Sequence, residues 1–168
     1  SVSMPTKLTY SIDETSDSAT GFLVGAAFEK PEIAMKVALT YHAKVKHTIK
    51  TVESIKISSP STVFSSVPGT TSFYTPSAIN LDFQTGIAED TLLFGSIRKV
   101  NWTETDVKPT VYAYTGKSLL SYDNDSTTYN IGLGRRFSES WSGAVTYGYE
   151  AAQAGKGGPL SPTNGTTK

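Results

Sequence analysis

Residues 33–49 read IAMKVALTYHAKVKHTI. Ile33, Met35, Val37, Leu39, Tyr41, Ala43, Val45 and Ile49 stand at odd positions, and only His47 interrupts them. The even positions hold Ala34, Lys36, Ala38, Thr40, His42, Lys44, Lys46 and Thr48, so that parity is polar or small. Successive side chains of a strand point to opposite faces, and period two therefore predicts a strand with one apolar and one polar face. At about 3.3 Å per residue the stretch extends roughly 56 Å, whereas a soluble strand usually runs about 5–6 residues. A tilted strand of a membrane barrel needs about 9–11 residues to cross the hydrocarbon and often continues beyond it.

The pattern recurs on both sides of this stretch. Phe22, Val24, Ala26 and Phe28 alternate with Leu23, Gly25, Ala27 and Glu29, and Ile79, Leu81 and Phe83 alternate with Asn80, Asp82 and Gln84. Further on, Tyr129, Ile131 and Leu133 alternate with Asn130, Gly132 and Gly134, and Trp141, Val145, Tyr147 and Tyr149 share a parity against Ser142, Ala144, Thr146, Gly148 and Glu150. Leu92, Leu93 and Phe94 are contiguous and leave the register of residues 91–103 open. The expected fold class is all-β: an antiparallel up-and-down transmembrane β-barrel, present as an incomplete run of about six strands in one domain over residues 1–168. Its strands are placed near 20–30, 33–50, 76–87, 91–103, 128–137 and 140–150. Short turns join some of them, and long outer loops are expected over 51–75, 104–127 and 151–168. Alternating short and long connections are the asymmetry of bacterial outer-membrane barrels, and aromatic residues near the strand ends fit interfacial girdles. A β-sandwich with one wet face gives the same alternation, but accounts for neither the strand length nor the sorting of the loops.

Fifteen basic and fifteen acidic residues cancel. No global field draws the chain to nucleic acid. Cysteine is absent, so disulfides and thiolate metal sites are excluded. No apolar run approaches the roughly 20 residues of a membrane helix. Residues 1–20 carry no export signal, and the Gly, Pro, Ser and Thr-rich tail from Gly155 reads as a loop, so the expectation is a piece of a longer chain.

Three stretches resemble the second half of a FadL/TodX-type barrel, the outer-membrane transport family for long-chain fatty acids and other hydrophobic compounds. The first has Gly25, Phe28 and Glu29, then Val37-Ala38-Leu39-Thr40-Tyr41 and Val45-Lys46. The second runs from Pro76 to Asn101-Trp102-Thr103, and the third joins Ile131-Gly132-Leu133-Gly134 to a strand opened by Trp141. The resemblance implies passive, non-enzymatic transport of hydrophobic small molecules such as fatty acids and hydrocarbons across the bacterial cell outer membrane, with outer-membrane lipid around the barrel and no cofactor. It also puts residues 50–75 in the place of an extracellular loop that forms an outer capture groove. Val63, Phe64, Val67, Phe73 and Tyr74 are the candidate substrate contacts there, with Pro60 and Pro68 bracketing the first three. Apolar side chains on an outward loop invite either that reading or packing of loops over the barrel mouth.

Other motifs carry less. His42 and His47 are five apart on a strand and face opposite ways, which is poor geometry for a shared metal. Gly132-Leu133-Gly134 opens no helix and so is no nucleotide loop. Asp123, Asn124 and Asp125 lack the glycine and closing Glu of a calcium loop and read as a solvated turn. Arg135 and Arg136, beside a short turn, suit snorkelling at an interface. No Ser-His-Asp or paired-carboxylate spacing argues for catalysis. The alternatives to a hydrophobic-compound transporter are a porin-like barrel for polar solutes, drawn from Lys36, Lys44, Lys46, Asp82 and Gln84 on polar faces, and a secreted adhesive β-sandwich.

Overall fold

Period two produces strands throughout. The computed structural model describes residues 8–58, 61–151 and 155–156. In chain order the strands are β1 (Leu8–Glu14), β2 (Leu23–Lys30), β3 (Met35–His42), β4 (Val45–Ser58), β5 (Ser61–Thr75) and β6 (Ala78–Ala88). They continue as β7 (Thr91–Val100), β8 (Asp106–Val107), β9 (Leu120–Tyr122), β10 (Ser126–Arg136), β11 (Ser142–Glu150) and β12 (Gly155–Lys156). The fold is all-β and antiparallel, with only three short 3-10 turns among the described residues.

Six strands form the main sheet in the order β2-β3-β6-β7-β10-β11, a meander in which each strand pairs antiparallel with the next. Its register aligns side chains into rows that run across the whole sheet. One row is Phe28, Val37, Phe83, Gly95, Ile131 and Tyr147; the next is Ala26, Leu39, Leu81, Ile97, Tyr129 and Tyr149. The rows between them belong to the other face: Ala27, Ala38, Asp82, Ser96, Asn130 and Gly148, then Gly25, Thr40, Asn80, Arg98, Thr128 and Glu150. One face is therefore apolar and the other polar over all six strands. The register also settles residues 91–100: Leu93, Gly95 and Ile97 belong to the apolar face and Phe94 to the polar one.

The meander puts its short connections at one end. They are the 3-10 turn Pro31–Ile33, the pair Glu89 and Asp90, and residues 137–141. Proline suits the first position of the 3-10 turn because its missing N–H has no helical partner there. Ala34 (φ 50°) and Asp90 (φ 56°) take the left-handed conformation that such tight reversals need. Arg136 donates from Nε to Asp90 Oδ1 at 2.9 Å, tying two of these turns together.

At the opposite end the connections are long, and there the structure departs from the sequence-based expectation. The single strand expected over 33–50 is two strands, since β3 stops at His42 and β4 leaves for a different sheet after Ala43 and Lys44. Residues 51–75, expected as an outer loop, are β-structure: β4 and β5 pair along their length, and β1 pairs with β4 on its other side. Pro68 is tolerated in β5 because that strand is the edge of this sheet, where a missing donor breaks no second ladder. The strand expected over 91–103 ends at Val100, and Trp102–Glu104 forms a 3-10 turn instead. The loop expected over 104–127 contains β8, β9 and the 3-10 turn Tyr112–Thr115. The tail expected over 151–168 lies outside the described residues apart from Ala151 and β12, which pairs with β9.

Burial is concentrated at this end. Ala78, Val100 and Ser126 are buried neighbours in one cross-strand row of the polar face, and Trp102 Nε1 donates to Ser126 Oγ at 3.1 Å. Ile49, Thr51 and Thr71 are buried on one side of the β4–β5 hairpin. Thr110 packs against that side so closely that a Cβ on Gly69 would fall 2.6 Å from its Oγ1.

Candidate functional site

Three surfaces offer chemistry: the apolar face, the polar face, and the long-connection end. The apolar face has no layer over it among the described residues. Val24, Leu39, Ile131 and Tyr147 are 58%, 52%, 50% and 69% exposed. Exposed apolar surface of this extent, continuous from strand to strand, marks a face built to meet something other than water.

The polar face is knit by cross-strand pairs. Arg98 Nη1 donates to Asn80 Oδ1 at 2.8 Å, Asn130 Nδ2 to Ser96 Oγ at 3.2 Å, and Thr128 Oγ1 to Glu150 Oε2 at 2.8 Å. Lys36 and Glu29 form an ion pair at 2.7 Å, half-exposed on both sides and so worth little energy. Phe94 is a large apolar exception. It lies over Gly132, where an added Cβ would meet its ring at 2.6 Å.

At the long-connection end, residues 101–125 are clamped at several points. Glu104 accepts from Ser77 Oγ at 2.7 Å, Ser77 N at 3.0 Å and Lys44 Nζ at 3.3 Å. The Ser77 bonds, ahead of the Lys44 charge, hold this carboxyl below the usual Glu range. Asp125 accepts from Thr103 Oγ1 at 2.8 Å and Thr103 N at 3.2 Å, which likewise depresses its pKa. Trp102 and Tyr122 rings meet at 5.1 Å.

The deepest clamp is Glu53, which is fully buried in β4. Its carboxylate accepts from Tyr10 Oη at 2.8 Å and from the backbone N–H groups of Val111 and Tyr112 at 3.0 Å, at the start of the 3-10 turn Tyr112–Thr115. Tyr112 is 1% exposed, with its ring edge-on to Tyr10 at 5.3 Å. Burial first, and then the Glu53 bond, push the Tyr10 hydroxyl pKa up. Sequence reasoning missed this cluster. The available signal was parity, since Ile49, Thr51 and Glu53 continue the odd face of β4.

The candidate substrate contacts are not gathered on one face. Val67 pairs with Glu53 and Phe73 with His47, and both are half-buried on the covered side of the hairpin. Tyr74 pairs with Lys46 on the opposite side, exposed, with Lys44 Nζ 5.1 Å from its ring centre. The side chains of Val63 and Phe64 lie outside the described residues; their backbones pair with Lys56 and Ile55. His47, which interrupts the apolar parity, stacks on Phe73 at 5.4 Å and contacts Asp17 Oδ2 at 3.2 Å. No group of three or more potential metal ligands occurs among the described residues. No helix among them is long and apolar enough to cross a membrane.

No protein-family model, characterised protein or solved structure matches the chain.

Proposed function

We propose that this chain is part of the wall of a bacterial outer-membrane β-barrel that passes long-chain fatty acids or other hydrophobic compounds passively across the membrane. The observation that carries the reading is the row pattern of the main sheet: two central rows of one parity are apolar across six strands, and the two rows that alternate with them are polar or small. A barrel wall between lipid and an aqueous lumen requires that division, since lipid can satisfy no polar group. Sorting of the connections by length fits the same orientation, with the β4–β5 hairpin outward and the short turns at the periplasmic side. The hydrophobic cargo rests on the sequence resemblance, and exposed Tyr74 is the aromatic on the hairpin placed to meet such cargo first.

A barrel for polar solutes is the second reading, favoured by Lys36, Arg98, Asp82 and Glu150 on the polar face. Two measurements on the full-length protein separate the readings. Cell fractionation with heat-modifiable gel migration tests the barrel, and a soluble protein without a shift sinks it. Equilibrium binding of fatty acids and aromatic hydrocarbons then tests the cargo, and steady open-channel conductance without such binding replaces it with polar solutes.

A further inference from the structure

We infer that the apolar face carries a seat for one long-chain carboxylate, its tail lying along β10 and its head group on Arg135. This rests on the membrane-wall reading and adds a ligand site to it. Three adjoining depressions of about 330, 220 and 500 Å³ follow β10 on that face. The first opens between Phe83, Ile97, Tyr129, Ile131, Tyr147 and Tyr149. The second shares Ile131 and Tyr147 and reaches Leu133 and Val145; the third shares those two and ends at Thr91, Arg135 and Gly143. Shared walls make the three one furrow.

From Tyr129 to Arg135 the furrow spans about 20 Å at the strand rise, the scale of one extended long acyl chain. The third depression is open where Gly143 in β11, the cross-strand partner of Arg135, carries no side chain. Such a channel takes a single chain side-on and buries its methylenes. The far end changes character. Arg135 and Arg136 adjoin, but Arg136 is committed to Asp90, whereas Arg135 is exposed and has no ion-pair partner among the described residues. A guanidinium presents paired donors that match the two oxygens of a carboxylate. One narrow apolar channel ending in one free arginine fits a single-chain carboxylate better than a two-chain phospholipid.

The test uses the full-length protein in phosphatidylcholine nanodiscs with photoactivatable palmitic acid, cross-links being mapped by mass spectrometry. Expected are adducts concentrated on Ile131, Leu133 and Val145, with labelling reduced roughly tenfold by Arg135→Gln, the loss of one charge-assisted pair. Val145→Trp, which fills the furrow and keeps the arginine, is expected to remove the Leu133 adduct. The seat is overturned if a photoactivatable phosphatidylcholine or fatty alcohol labels the furrow equally well, or if adducts spread evenly over Val24, Leu39 and Leu81. Heat-modifiable migration read on the same samples separates the two ideas. A normal shift with an unlabelled furrow refutes the seat alone; an absent shift refutes the wall, and labelling of the same protein in detergent then decides the seat by the same criteria.

Discussion

Glu53 is an acidic side chain buried from solvent, and it is tolerated because its oxygens accept from Tyr10, Val111 and Tyr112. Removing it strands three donors at once, of which Tyr112 N is buried and the other two are partly buried. Glu53→Ala is expected to cost about 3 kcal/mol locally and to speed amide exchange at Val111 and Tyr112 by roughly a hundredfold, while the β6–β7 amides stay protected. Unchanged exchange at those two positions would refute the clamp. Glu104 gives a pH-dependent counterpart. Its folded pKa is depressed below the ordinary value of 4.5, so its contribution is complete above that value and is lost as pH falls through the lower folded one. Trp102 fluorescence is expected to report an acid transition starting below pH 4.5. Ser77→Ala should move that transition to higher pH, because it removes the hydroxyl bond that most lowers the Glu104 pKa.

At the scale of the strand, β6, β7 and β10 fit together by aromatic rings over glycines. Phe94 covers Gly132 on the polar face, and Phe83 leans on Gly95 on the apolar one, where an added Cβ would lie 2.8 Å from its ring. Gly132→Ala should destabilise the protein by about 1–3 kcal/mol through overpacking. Trimming the ring with Phe94→Leu in the same chain should recover part of that loss, a coupling of about 1 kcal/mol in a double-mutant cycle of urea unfolding midpoints. Strictly additive effects would show that the pair does not interlock. The β4–β5 hairpin shows the reverse of strong patterning. Its covered side holds Thr51, Thr71 and Gly69, so a mostly polar strand pair is stable because residues 110–112 pack on it, Glu53 accepting from two of them.

For the whole molecule, the division into two faces makes opposite demands on the same substitution. Ile131→Lys places a charge amid the apolar rows and is expected to cost about 2–4 kcal/mol in a bilayer. Ala38→Lys, on the polar face beside Asp82, is expected to be tolerated. Yield of the heat-modifiable form measures both, and equal tolerance would count against lipid on the apolar face. The orientation is testable because the chain has no cysteine. Ser66→Cys in the hairpin is expected to react with a membrane-impermeant maleimide on intact cells, and Glu139→Cys in a short turn only after the outer membrane is opened.

The amino-acid sequence by itself determined the two-faced strands of the main sheet, because side-chain parity is a local property: Val37, Leu39 and Tyr41 declare their face whichever strand they pair with. Short turns were equally legible, since a tight reversal leaves few residues between two patterned runs. Only the tertiary structure decided that the chain leaves the main sheet at Lys44, that β1 pairs with β4, and that residues 61–75 are a strand. The first two outcomes depend on partners distant in the chain. Ser, Thr, Gly and Pro in β5 carry no apolar signal of their own, and what makes them a strand is the ladder to β4, the strand next to it in sequence, together with the cover contributed from residues 110–112, which no local window contains.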